Sequence, residues 1–146
     1  MSEPPEAFGE AFRWLGEATE ELDTARHIQS NPELPARMPC FLAHLAAEKA
    51  LKALLISAYT PFPKTHDLVR LYSLVPEDQR PSLEVTDLAE LNPWAIDGRY
   101  TVHTADTSYE VAAALVTKTE QILRTIQEHI ERATILDASH SDSDDG

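Results

Sequence analysis

Residues Ala46 to Leu68 read A-A-E-K-A-L-K-A-L-L-I-S-A-Y-T-P-F-P-K-T-H-D-L, and this stretch decides the fold. Its first half is alanine, leucine, lysine and glutamate, the strongest helix formers. Leu42, Leu45, Ala46, Ala50, Leu51, Ala53, Leu54 and Leu55 cover most of the helical circumference. A helix from about Pro39 to Ala58 is therefore buried on most sides, central to a bundle or shared with a second chain. One narrow polar stripe remains, His44, Glu48 and Lys52 at successive i, i+4 positions with Lys49 alongside. Glu48 precedes Lys52 in the favourable order, a pairing worth roughly 0.2–0.5 kcal/mol on a helix surface. Thr60-Pro61-Phe62-Pro63 then stops the helix, since proline lacks the amide donor and pushes the preceding residue out of the helical region. Lys64-Thr65-His66-Asp67-Leu68 opens a short helix with Thr65 as its expected N-cap, carrying Leu68, Leu71 and Tyr72 until Pro76 ends it.

Upstream, Phe8, Ala11, Phe12, Leu15, Ala18, Leu22 and Ala25 recur at helical spacing with acidic residues mostly opposite. That pattern predicts an amphipathic helix from about Pro5 to Gln29. Ser30-Asn31-Pro32 stops it, and a proline-rich connection leads to Pro39. Downstream, a fourth helix is expected from about Pro81, presenting Leu83, Leu88 and Leu91 and stopping near Asn92-Pro93. Thr107-Ser108-Tyr109-Glu110 has the form of a capping box with Thr107 as N-cap, and Leu115, Ile122, Leu123, Ile126 and Ile130 follow on one stripe. From Asp137 to Gly146 the chain offers nothing to bury, so this acidic tail is expected to be unstructured. The fold class is all-α: an antiparallel, up-and-down four-helix bundle over residues 1–136 with one extra short helix, then the tail 137–146.

The chain has 146 residues, enough for one domain with a single core, and only four glycines, too few for a turn-rich sandwich or barrel. A formal charge of −13 disfavours binding to a DNA duplex, which depends on neutralising many phosphates. The charge is uneven, however. From Arg37 to Tyr72 five basic residues face two acidic ones, a local net of +3 that suits a small phosphate-bearing ligand or short RNA. Cys40 is the sole cysteine, so there is no disulfide framework and no thiolate cluster. No apolar run is long enough to span a membrane, and the N-terminus lacks the pattern of a signal peptide, so a soluble cytoplasmic protein is expected.

Three pieces in order resemble the HEPN domain family: Glu48-Lys49-Ala50-Leu51-Lys52, then Pro63 to Leu68, then Arg99-Tyr100 before the last long helix. The Arg-Tyr pair is often followed by proline in that family, where this chain has Thr101. The resemblance spans the chain to about Ala133 and implies a HEPN-like homodimer, often working beside a separately encoded small nucleotidyltransferase. This chain lacks the glycine-serine and downstream aspartate pair of such a transferase, so that partner would be another polypeptide. Asp142-Ser143-Asp144 lies in the tail and is a chance match.

The expected ligand site is a groove lined by Lys49, Lys52, Lys64, His66, Arg99 and Tyr100, holding the phosphate of a nucleotide or short RNA. Trp94 and Tyr100 flank Arg99 and suit either base stacking or the core, and core is the more frequent use of aromatics at a bundle end. The alternative is a metal-independent, toxin-like ribonuclease using Arg99 and His103, in which histidine takes the ribose 2′-hydroxyl proton and arginine holds the phosphate charge. Three residues separate that pair, one fewer than the shortest spacing in the family's ribonucleases, and Ala105 stands where partner-modified members carry tyrosine. A third reading is a dimerisation module without ligand. No organic cofactor is implied, and no metal: no Glu has a His three residues on, as carboxylate-bridged di-iron bundles require, and His-Glu-x-x-His is absent.

Overall fold

The computed structural model describes residues 3–95 and 107–144, and all regular structure among them is helical. Three long helices dominate: α1 (Glu3–Gln29), α2 (Arg37–Ser57) and α5 (Tyr109–Asp144). Two seven-residue helices, α3 (Leu68–Leu74) and α4 (Val85–Leu91), lie between the second and last of these. The fourth helix, expected from about Pro81, thus starts later and is as short as the third, because Glu84 rather than proline holds the N-cap position.

The alanines of α2 explain the packing. Ala43, Ala46, Ala47, Ala50 and Ala53 are all fully buried, and their small side chains let α1 and α5 approach the α2 backbone closely. Leu51, Leu54 and Leu55 fill the remaining space, with Ala11, Ala18 and Ala25 facing them from α1 and Ile126 and Ile130 from α5. Lys49 of α2 meets Glu17 and Glu21 of α1, while Lys52 lies over Trp14, so the two helices run antiparallel. Cys40 is wholly buried, and burial pushes its thiol up to about 11, as suits an inert core residue.

Each helix end shows which local bond won. At the end of α2, Thr60 N–H reaches Leu55 O (2.9 Å) and Tyr59 N–H reaches Ile56 O (3.0 Å), the paired bonds of a Schellman motif. Tyr59 takes the left-handed conformation (φ 54°) usually given to glycine, and Pro61 follows at once. The cap of α3 is Asp67, not Thr65: its carboxylate accepts from Val69 N–H (3.1 Å) and Arg70 N–H (3.2 Å). Thr65 Oγ1 instead accepts from Asp67 N–H (3.2 Å), closing a turn before the helix. Lying directly before the helix, the carboxylate outcompetes a hydroxyl two residues further back. Asn92 Nδ2–H donates to the same Asp67 oxygen (2.9 Å), and Asn92 Oδ1 accepts from Leu68 N–H (2.9 Å). Asp67→Ala is therefore expected to cost about 1–2 kcal/mol in urea denaturation, the upper part of the range for a lost cap. Asp67→Asn, which keeps an acceptor, should recover most of it.

At α5 the cap likewise moves one residue, with Ser108 Oγ accepting from Val111 N–H (3.1 Å) in place of the expected Thr107. The helix then runs to Asp144, through residues expected to form an unstructured tail. Ile135 and Leu136, just before this extension, are 67% and 70% exposed, so the helix has left the core there.

Candidate functional site

The polar stripe of α2 is not a solvated face. His44 and Glu48 are 2% and 5% exposed, buried under the connection that returns from α2 to α3. Burial of a carboxylate is costly unless its oxygens are satisfied. Glu48 Oε2 accepts from Lys52 Nζ (3.0 Å), and Oε1 accepts from His66 Nδ1 (2.8 Å). His44 stands beside them, with Nδ1 4.0 Å from Glu48 Oε1, while its Nε2–H donates to the His66 backbone oxygen (2.9 Å). Burial lowers the proton affinity of His44, which is outweighed only in part by the His66 carbonyl and the Glu48 charge. Burial thus favours the neutral ring, and the carbonyl acceptor keeps a proton on Nε2.

The hub thus joins α2 to the 58–67 connection through one carboxylate. Lys52 completes the wall: its ammonium lies 6.0 Å from the Trp14 ring centre and 5.9 Å from that of Phe62, at the outer range of cation–π attraction. Among the described residues, two of the three donors of Lys52 remain beyond its bond to Glu48. His66 is 57% exposed in its side chain, and Lys64 is exposed two residues upstream.

Of the six residues expected to line a ligand groove, the structure brings Lys52 and His66 together on Glu48 and places Lys64 on the same connection. Lys49 points to α1, where Glu21 holds it at 2.5 Å and Glu17 at 3.7 Å, and these carboxylates raise its proton affinity. Much of the +3 patch counted along the sequence is thereby balanced, by Glu17 and Glu21, which lie outside it. Arg99 and Tyr100, with His103 of the ribonuclease alternative, lie outside the described residues. Trp94 is core, 8% exposed and edge-on to Phe41 with ring centres 5.6 Å apart.

Sequence reading missed the aromatic walls and the role of Glu48. Trp14 and Phe62 lie 48 positions apart and share no motif with Lys52. Glu48 did carry a signal: a carboxylate on an almost wholly apolar helix must find partners or solvent. A groove of about 370 Å³ opens between α1 and α5, where Arg26 is bonded to Glu120 and Asp23 and the lining carboxylates outnumber the arginines. Among the described residues no helix is long and apolar enough to cross a membrane.

The family model for the HEPN domain matches residues 11–130. Two solved structures share the fold. One is TT1696 from Thermus thermophilus, with a TM-score of 0.70 and 25% identity, covering 82% of this chain and 97% of its own. The other is ST0689, described as an archaeal HEPN homologue, with a TM-score of 0.65 and 21% identity over the same shares of the two chains. A search of curated proteins gives no match.

Proposed function

The chain belongs to the HEPN domain family, and on that premise we propose that it is a homodimeric bundle binding the phosphate of a nucleotide or short RNA at the junction of α2 and α3. In this reading it works beside a separately encoded nucleotidyltransferase. The single observation that supports the site is the gathering of Lys52 and His66 on one buried carboxylate, with Lys64 exposed on the same connection. Glu48 fixes the two side chains before any ligand arrives, so little ordering entropy remains to be lost on binding. The aromatic walls at Trp14 and Phe62 give a base somewhere to lie. Arg99 and Tyr100 belong to the proposed groove by the family resemblance, and Lys49 serves the seam between α1 and α2.

Calorimetry with ATP, GTP and a short RNA tests this. Binding is expected from at least one of the three, weakened roughly tenfold by either Lys64→Ala or His66→Gln, as for loss of one charge-assisted hydrogen bond. Absence of heat with all three ligands at protein concentrations near solubility would remove the groove. Light scattering on the same samples reads the dimer directly.

A further inference from the structure

Among the described residues, His66 has one ring nitrogen committed and the other without a partner. A carboxylate only accepts, so the 2.8 Å bond from His66 Nδ1 to Glu48 Oε1 places a proton on Nδ1, and in the neutral ring the lone pair is then on Nε2. The backbone is held as well, since His44 Nε2–H fixes the His66 carbonyl at 2.9 Å and Asp67, next in sequence, caps α3. Glu48 is 6% exposed in its side chain and His66 57%, so a buried carboxylate supports an accessible nucleophile. Among the described residues, the charged and titratable groups around the ring are Glu48, Lys52 and His44 on α2, with Lys64 and Asp67 on its own segment.

We propose that His66 Nε2 is a phosphoryl-acceptor site, taking the phosphoryl group of small acyl phosphates or phosphoramidates, with Glu48 as its positioning residue. In the transfer the Nε2 lone pair forms the N–P bond while the bond from phosphorus to its leaving group breaks. A carboxylate departs with that electron pair from an acyl phosphate; from phosphoramidate ammonia departs, taking a proton from water. The ring becomes cationic, and the Nδ1–H bond to Glu48 offsets that charge. Lys52 and Lys64 supply cations for the phosphoryl oxygens, so the inference rests on the anion groove proposed above.

His27 provides an internal control. Its Nδ1 also bonds an oxygen, the Asp23 carbonyl at 2.8 Å, and its ring is exposed, but no carboxylate holds it. Purified full-length protein is treated with acetyl phosphate or potassium phosphoramidate, then mapped by mass spectrometry above neutral pH. An acid-labile phosphoryl group is expected on His66, forming about tenfold faster than on His27, by analogy with outer-shell carboxylates that orient histidine. Glu48→Gln should slow it by about the same factor with the circular dichroism spectrum unchanged, and Glu48→Asp should restore part of the rate. His66→Gln should remove this label and leave that on His27. Labelling of His66 no faster than of His27, or as fast in Glu48→Gln, overturns the proposal, as does no label at all. Calorimetry with ATP on the same protein separates the two ideas: binding without labelling sinks only the acceptor, and labelling without binding sinks only the groove.

Discussion

Replacing Glu48 by alanine is expected to lower the unfolding free energy by about 2–4 kcal/mol. The reason is the concentration of bonds on one buried carboxylate. Lys52 and His66 both lose their acceptor, His44 is left beside an empty space, and the 58–67 connection loses one of its ties to α2. A buried pair broken on one side costs about 3–5 kcal/mol, and the lower figure here reflects the freedom of Lys52 and His66 to turn to solvent. Their side chains are 15% and 57% exposed. Urea denaturation at one fixed protein concentration measures the loss, since association would otherwise shift it. A change below about 1 kcal/mol, the worth of an exposed ion pair, would show that the carboxylate is solvated and the hub structurally idle.

Leu51→Ala should cost about 3–4 kcal/mol, lowering the melting temperature by roughly 10 °C for a domain of this size. Leu51 is wholly buried on α2, the helix that packs against α1, α3, α4 and α5. The buried alanines near it on α2, Ala50 and Ala53, have no rotamers with which to fill the void. Leu34→Ala is the matched control: at 44% exposure in the connection after α1, it should stay within about 0.5 kcal/mol of the parent. Equal effects at the two positions would contradict the assignment of α2 as the central helix.

The two results bear on different links of the same chain of causes. Leu51 tests whether apolar periodicity correctly located the core. Glu48 tests whether the remaining stripe on that helix is a surface or an interior, a matter that periodicity does not address. The HEPN family membership and the all-helical fold agree with the reading from residues 46–68, Arg99-Tyr100 and the apolar stripes. The caps of α3 and α5 each fell to another residue, Asp67 for Thr65 and Ser108 for Thr107. Neighbouring hydroxyl and carboxylate groups compete for the same few amide donors, and the backbone path settles the contest.

The order of amino acids alone determined that the three long helices form and which apolar stripes they bury. Those properties follow from 3.6-residue spacing, proline and side-chain propensity, all of them local. Only the tertiary structure decided what each buried face meets. Lys49 and Lys52 stand three positions apart on one helix, yet one is bound to Glu21 of α1 and the other to Glu48 between two aromatic rings. Whether a lysine is a free cation or a neutralised one depends on carboxylates brought near by packing, because Coulomb attraction acts through space at a few ångströms and is blind to sequence distance.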